Sequence, residues 1–307
     1  MSKFWFAGNG PFAAQCLDIL AVDLDIDLVV TSFPKKGGRG MLEKRSPVQE
    51  VAEGRIPVHM TRDLSRDPYL VELLHKTPPT AIFVVDFSHL VREPFLSFSE
   101  LGCLNIHPSL LPSLRGAAPV QRAILSGMNT TGVTVFKLQP SMDSGPILAQ
   151  ESCRITDEDT AGTLLTKLAA KGSILLLDAL KGYETGQYYF RVQDPSLASY
   201  APRIEKNEAL LDWKSKANEL HNKVRAFNPK PGAFFHFRGK RVKVWQTSIV
   251  DMKGSPGTLI AFLGSAPVVS VGDKSLILQE VQVEGKKKTT GSAWANGSRL
   301  IKGEMIK

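Results

Sequence analysis

The 307-residue chain predicts two folds in series: a doubly wound, Rossmann-like α/β domain at the N-terminal end, then an OB-like β-barrel domain. Three observations carry that reading. Residues 3–7 are an apolar run that breaks into the turn Gly8-Asn9-Gly10-Pro11 and then into a helix through Leu20, the opening of a βα unit. Residues 80–85 are an unbroken β-branched and apolar run, the composition of a parallel strand buried on both faces. Between residues 233 and 280, five short β-prone runs alternate with glycine turns, as in a small barrel of the oligonucleotide-binding type. The length itself favours two domains. Residues 193–206 show little periodicity and carry Asp194-Pro195 and Pro202, which predicts the joint. The expected division is an α/β domain over residues 1–192, a linker over 193–207 and an OB-like domain over 208–307.

Composition narrows the function. With 43% hydrophobic and 22% charged residues the chain reads as an ordinary globular protein. No apolar run approaches the roughly 18 residues that cross a bilayer. Phe4-Trp5-Phe6-Ala7 is too brief for a signal-peptide core, and no Arg-rich transit segment accompanies it. Cys16, Cys103 and Cys153 are odd in number and too widely spaced for a disulfide framework or a zinc site. The expectation is a cytoplasmic monomer with no membrane partner and no metal. The net charge of +8 is uneven: residues 1–200 hold 19 Lys/Arg against 21 Asp/Glu, residues 201–307 hold 19 against 9, giving −2 and +10. That asymmetry points to a polyanion near the C-terminal half, or else to a basic, merely soluble surface.

Element by element, the second strand (residues 26–31) ends in Ser32-Phe33, not in the acidic residue that holds a ribose, so the glycine turn is not read as a nicotinamide site. Residues 32–46 form a loop rich in glycine (Gly37, Gly38, Gly40) and in positive charge: Lys35, Lys36, Arg39, Lys44 and Arg45 against Glu43. Such a loop suits the grasping of phosphates, or is solvated surface. Helices are expected over Pro47–Ala52 and residues 69–74, with a short strand at 56–58. The run at 80–85 ends in Asp86-Phe87-Ser88-His89, at a strand's carboxyl end, where open α/β sheets take ligands. Cys103–His107 reads as a strand, whose alternation puts Asn105 and His107 on one face. A loop with Ser109 and Pro112 follows, then a helix with Pro119 in its first turn. Strands at 132–138 and 147–151 flank Met142-Asp143-Ser144-Gly145. Asp157, Glu158 and Asp159 are expected to favour the N-terminal dipole of a helix over residues 163–180. Another helix spans residues 216–227 ahead of the barrel, and Lys286-Lys287-Lys288 lies in the barrel's late loop.

Asn105, His107 and Asp143 place an amide, an imidazole and a carboxylate at loop edges, the groups that orient and stabilise a reacting carbonyl. The same three also read as a turn cap, a satisfied buried histidine and a turn opener. Five motifs follow one another here: Asn105-Ile106-His107, Pro108-Ser109-Leu110-Leu111-Pro112, Arg115-Gly116-Ala117-Ala118-Pro119, Thr131-Gly132-Val133-Thr134 and Met142-Asp143-Ser144-Gly145. In that order they resemble the 10-formyltetrahydrofolate-dependent formyltransferases. The resemblance implies that Asn105, His107 and Asp143 are the catalytic trio. It also implies that 10-formyltetrahydrofolate is a cosubstrate, with no metal, contacted at Phe87, Ser88, Ser109, Leu110, Leu111 and Pro112.

The resemblance covers the rest of the chain as well. Ser199-Tyr200-Ala201, Asp212-Trp213, Arg225-Ala226-Phe227-Asn228-Pro229 and Gly285-Lys286-Lys287 are similar to the branch of that family that formylates methionyl-tRNA. That branch implies initiator methionyl-tRNA as partner, met by Lys35, Lys36, Arg39, Lys44, Arg45, Lys286 and Lys287, with Gly38-Arg39-Gly40 entering the acceptor end. Two places depart from the family pattern: Asn9-Gly10-Pro11 stands for Thr-Pro, and Asp86-Phe87-Ser88-His89 stands where Ala-Tyr-Gly is common. Formyl transfer to a sugar nucleotide and hydrolysis of the donor would use the same trio, but the basic half and the basic loop favour tRNA. An RNA-binding protein with an inactive first domain is opposed by the intact trio.

Overall fold

Strands buried on both faces need helices on both sides of the sheet, and the first half of the chain supplies them in alternation. The structure, a computed structural model, describes residues 2–37, 42–87 and 89–306. In chain order its first elements are β1 (Phe4–Gly8), α1 (Pro11–Asp23), β2 (Ile26–Ser32), β3 (Lys35–Gly37), β4 (Leu42–Lys44), α2 (Pro47–Ala52), β5 (Val58–Thr61), α3 (Pro68–Lys76), β6 (Ala81–Val85) and β7 (Cys103–His107). Next come α4 (Pro119–Leu125), β8 (Thr130–Lys137), β9 (Ile147–Arg154) and α5 (Ala161–Glu184). The main sheet runs β5-β2-β1-β6-β7-β8-β9. Its first five strands are parallel; β8 and β9 are antiparallel. Every residue of β1 and β6 is buried, as their composition predicts.

The strand order reverses between β1 and β6, so the crevice at their carboxyl ends is the switch point of the doubly wound sheet. β7 lies beside it. α5 packs closely on β7: a Cβ on Gly172 would fall 2.4 Å from Ile106 Cγ2, so only glycine allows that approach. Ile106 therefore faces the helix, which turns Asn105 and His107 the other way.

The chain divides into two compact units. The first holds Met1–Pro119, Thr130–Arg154 and Leu165–Ala201; the second holds Val120–Asn129, Ile155–Leu164 and Pro202–Lys307. Residues 193–201, expected in the linker, thus belong to the first unit.

The second unit contains α6 (Ala217–Ala226), β10 (Ala233–Phe237), β11 (Lys240–Val250), β12 (Leu259–Leu263), β13 (Ala266–Ser270), β14 (Ser275–Val283), β15 (Thr289–Thr290) and α7 (Gly291–Ser298). Its antiparallel sheet runs β10-β11-β14-β13-β12, with β15 on β14. Flanking chain covers both edges. Leu211 N–H donates to Phe234 O (2.8 Å) on one side, and Leu259 N–H donates to Glu304 O (2.9 Å) on the other. Trp213, Phe235, Phe237 and Trp294 pack edge-to-face or tilted in its core.

Three expectations need correction. The basic loop of residues 32–46 contains a hairpin, β3 paired with β4. Asp157, Glu158 and Asp159 precede α5 and leave no acid in its first turn; Thr160 and Thr163 cap it, Thr163 N–H donating to Thr160 Oγ1 at 3.2 Å. The 291–298 helix was not expected, since its glycines and asparagine disfavour a helix. No helix among the described residues is long and apolar enough to cross a membrane.

Candidate active site

β7 delivers His107 to its own carboxyl end, inside the sheet between β6 and β8, with the residue only 5% exposed. Nε2 lies 3.1 Å from the Leu114 carbonyl, which can only accept, so Nε2 carries the hydrogen. Burial pulls the imidazole pKa below the usual 6.5; Asp143, then the Leu114 carbonyl, oppose that pull without reversing it. The ring is therefore neutral near pH 7 and presents the lone pair of Nδ1. Nδ1 stands 3.8 Å from Asp143 Oδ2, beyond hydrogen-bond range. The carboxylate does not orient the ring directly. Two acceptors instead face one another across a gap that a shared donor, such as an amine N–H, can bridge.

Asp143 adopts φ 48°, left-handed, and its Oδ2 accepts the Gly116 N–H at 2.7 Å. Asn105 Nδ2 donates to the Val84 carbonyl of β6 at 2.7 Å, which fixes the amide's orientation. Among the described residues its second amide hydrogen is free and its buried Oδ1 has no partner. Thus the structure brings His107 and Asp143 together and sets Asn105 on the same face of β7 as His107, each of the three held by a backbone group of a different segment.

The loop after β7 is tied down from within. Ser109 Oγ–H donates to Ser113 O (2.6 Å), Thr134 Oγ1–H donates to Ser109 O (2.7 Å), and Leu111 N–H donates to Thr134 Oγ1 (3.0 Å). Gln150 Nε2 donates to Leu111 O (2.7 Å). The Ser109 hydroxyl and the Leu111 backbone are consumed by these bonds, and the Leu111 side chain packs with Phe136 and Ile147. Both residues shape the loop; Leu110 and Pro112, half-buried, are the members of that stretch left to meet a ligand. Phe87 is half-buried, its ring tilted against His89 at 5.1 Å. Ser88 and Arg39 lie outside the described residues.

Lys35 and Lys36 belong to β3; Lys44 and Arg45 are exposed, Arg45 paired with Glu53. In the second unit, Lys286 and Lys287 join Arg238 and Lys240 around a cavity of about 490 Å³ floored by Phe237 and Trp294. Among the described residues no group of three or more His, Cys, Asp or Glu is gathered to hold a metal ion.

The sequence reading missed Gln193 and the role of Arg115, and it missed Asp86. Asp86 has φ 43°, and its Oδ2 lies 1.8 Å from where a Cβ on Gly10 would be. Its carboxylate thus occupies the first βα turn, the place where dinucleotide folds hold a phosphate. Part of the side chain reaches solvent, yet desolvation in the crevice pushes its pKa up to about 6. An acid directly after a buried parallel strand was the available signal. Gln193 gave none.

Comparison with known proteins adds an independent line. Residues 4–180 match the family described as Formyl transferase, and residues 203–299 match the Formyl transferase, C-terminal domain. The chain is 36% identical over 310 residues to the methionyl-tRNA formyltransferase of Coxiella burnetii (strain RSA 331 / Henzerling II), covering 99% of this chain and 98% of that one. It is 38% identical over 298 residues to the methionyl-tRNA formyltransferase of Nitrosospira multiformis, covering 96% of each. Among solved structures it resembles HypX from Aquifex aeolicus in complex with tetrahydrofolic acid, with TM-score 0.66 and 17% identity. That match covers 100% of this chain and 50% of HypX, so the chain spans about half of HypX. An N-formyltransferase from Helicobacter canadensis, in complex with folinic acid and dTDP-3-aminofucose, matches with TM-score 0.66 at 19% identity, covering 91% and 99% of the two chains. At these identities the two structures share the fold.

Proposed function

The chain belongs to the formyl transferase family, and on that premise we propose that it moves a formyl group from 10-formyltetrahydrofolate to the α-amine of initiator methionyl-tRNA, in support of translation initiation in the cytoplasm. One observation carries the chemistry: His107 Nδ1 and Asp143 Oδ2, both acceptors, face each other at 3.8 Å, and Asn105, on the same face of β7 as His107, keeps an amide hydrogen that no group among the described residues takes. The donor supplies an activated formyl carbon. The reaction needs an amine to add to that carbon, negative charge to gather on the formyl oxygen, a proton to leave the amine nitrogen, and then the bond from the carbon to folate N10 to break as the oxyanion collapses, N10 taking up a proton and tetrahydrofolate leaving.

Each demand has a matching group. The free Asn105 N–H is available to the developing oxyanion, a contribution typically of about 3 kcal/mol. The amine nitrogen must be neutral to attack and must shed a proton as the bond forms; Nδ1 and Oδ2 are both able to receive it. Burial keeps His107 neutral and hence basic at Nδ1, while the neighbouring Asp143 stabilises the imidazolium once it forms. Phe87, Leu110 and Pro112 are assigned to the folate, with Ser109 and Leu111 shaping the loop after β7, and Ser88 is assigned to the same ligand by its place in the sequence. Lys35, Lys36, Arg39, Lys44 and Arg45 in the first unit, with Lys286 and Lys287 in the second, offer charge to the tRNA phosphates.

The test is a supply of 10-formyltetrahydrofolate labelled in the formyl carbon, together with methionyl-tRNA and, separately, an amino sugar nucleotide. Label on methionyl-tRNA is the expected outcome. Label on the sugar nucleotide alone, or in free formate alone, would overturn the assignment of the acceptor.

A further inference from the structure

Gln193 lies in a stretch without periodicity, yet its side chain is buried and its amide engages four groups. Oε1 accepts from Arg115 Nε (3.1 Å) and Nη2 (2.6 Å). Nε2 donates to the carbonyls of Asp143 (2.8 Å) and Gly145 (2.7 Å). A guanidinium only donates and a carbonyl only accepts, so the amide has a single orientation here.

Arg115, equally buried, is flanked by the two residues that touch the trio. Leu114 gives its carbonyl to His107, and Gly116 gives its N–H to Asp143. The loop that holds His107 and the turn that bears Asp143 are therefore joined twice: Gly116 reaches the Asp143 carboxylate, and Arg115 with Gln193 reaches the Asp143 backbone. Both segments are in disfavoured backbone conformations, with φ 60° at Leu114 and φ 48° at Asp143. Such residues hold their shape only where the surroundings fix them. Residues 199–201 close the loop from the other side: Arg115 N–H donates to Ser199 O (2.8 Å) and Ala201 N–H to Arg115 O (2.7 Å). A Cβ on Gly116 would meet Ala201 O at 2.8 Å.

We propose that Gln193 is a positioning residue: by tying the Asp143 turn to Arg115, it holds the Asp143 carboxylate opposite His107 Nδ1. The kinetic part of its test rests on the formyl-transfer reading; the titration part does not. Asp143 is the charge that raises the His107 pKa against the effect of burial, so a carboxylate free to drift away lets that pKa fall.

Two variants of the full chain probe this. Gln193→Met keeps the length and removes the amide. Gln193→Glu still accepts from Arg115 but has no hydrogen to give the two carbonyls. The His107 imidazole is followed by NMR, its resonance assigned by its loss in His107→Gln. In Gln193→Met, which adds no charge, it should titrate below the wild-type value; Gln193→Glu adds a carboxylate that itself raises an imidazole pKa, so that variant is read by its kinetics. Turnover on methionyl-tRNA should fall about tenfold or more with KM for 10-formyltetrahydrofolate within about twofold. Adding Asp143→Asn to either variant should cost less than it does in the wild type, because the two changes act on one contact. An unchanged His107 titration in folded Gln193→Met, or losses in either variant that simply multiply with that of Asp143→Asn, would overturn the proposal. If Gln193→Met fails to fold, Gln193→Glu, with an ion pair to Arg115 in place of the amide, decides by its turnover against KM and by its combination with Asp143→Asn. If the wild type fails to formylate methionyl-tRNA, the functional reading fails, and the His107 titration still decides the role of Gln193.

Discussion

At the end of β7, polar side chains are few, buried and held by backbone: His107 by Leu114, Asn105 by Val84, Asp143 by Gly116. On the sheet of the second unit, cations are numerous and lie over aromatic rings. Arg241 stands 4.6 Å from the Phe234 ring centre, and Lys243 and Lys288 stand 5.3 and 4.3 Å from that of Trp245. The difference follows from what each region must meet. A reacting carbon requires groups fixed to a fraction of an ångström, whereas a polyanion is held by the number of charges presented, with little regard to their exact places. Substitution should therefore be costly and specific in the first region, and graded and additive in the second.

The largest effects are expected at the trio. Asn105→Ala, His107→Ala and Asp143→Ala should each lower turnover at least about a hundredfold while folate affinity persists, since each removes a group placed for the reacting centre. Single-turnover formylation alongside a folate binding titration checks this. Near-normal turnover in any one variant would remove that residue from the chemistry.

In the basic region, Lys286→Ala with Lys287→Ala should weaken tRNA binding severalfold and leave folate binding alone. For every phosphate that a lysine no longer neutralises, the slope of log affinity against log salt should flatten by roughly 0.7 to 0.9. Unchanged slopes would mean that these lysines do not meet the nucleic acid, and the contrast between the two regions would rest on the trio alone.

The same contrast explains what the sequence made legible. Strands and helices with a repeating pattern were readable: Cys103–His107 and Pro47–Ala52 stand at the expected bounds, and all five barrel strands lie within a few residues of theirs. The catalytic trio was readable as motif. Its geometry was not, because the left-handed Asp143 and the Arg115–Gln193 bridge depend on isolated hydrogen bonds between distant segments, and an isolated bond needs no periodicity. The 291–298 helix was hidden for a different reason: its intrinsic propensity is poor, and the packing of Trp294 on Phe235 and Phe237 overrides it.

The start of α5 tests that lesson at a smaller scale. Asp157 and Glu158 looked like helix-dipole partners, but Thr160 and Thr163 exchange the capping bonds. Thr160→Ala should cost about 1 kcal/mol in urea denaturation. Asp157→Asn with Glu158→Gln should change stability by less than about 0.5 kcal/mol. The reverse order would restore the dipole reading.

The smallest effect is one of slope with pH, and it sets the buried His107 of the first unit beside the half-buried His221 of the second. Burial lowers the His221 pKa, and nearby Arg225 lowers it further, with Asp157 opposing. Burial also lowers that of His107, but there the closest charge, Asp143, opposes the shift. For both groups the folded pKa lies below the unfolded value of about 6.5. Their contribution to stability is complete above that pH. It declines as the pH falls, because the unfolded chain takes up the proton first while the folded protein resists until its own lower pKa is passed. Burial is the first cause at both sites, so both imidazoles should carry part of the acid sensitivity. Urea midpoints at pH 7.5 and pH 5 should therefore converge in His221→Gln and in His107→Gln, each compared with the wild type so that the carboxylates cancel. His221→Gln should also keep turnover at pH 7.5 within about twofold, since the residue lies outside the machinery of formyl transfer. An unchanged gap between the two midpoints in either variant would show that its imidazole is not shifted by the fold.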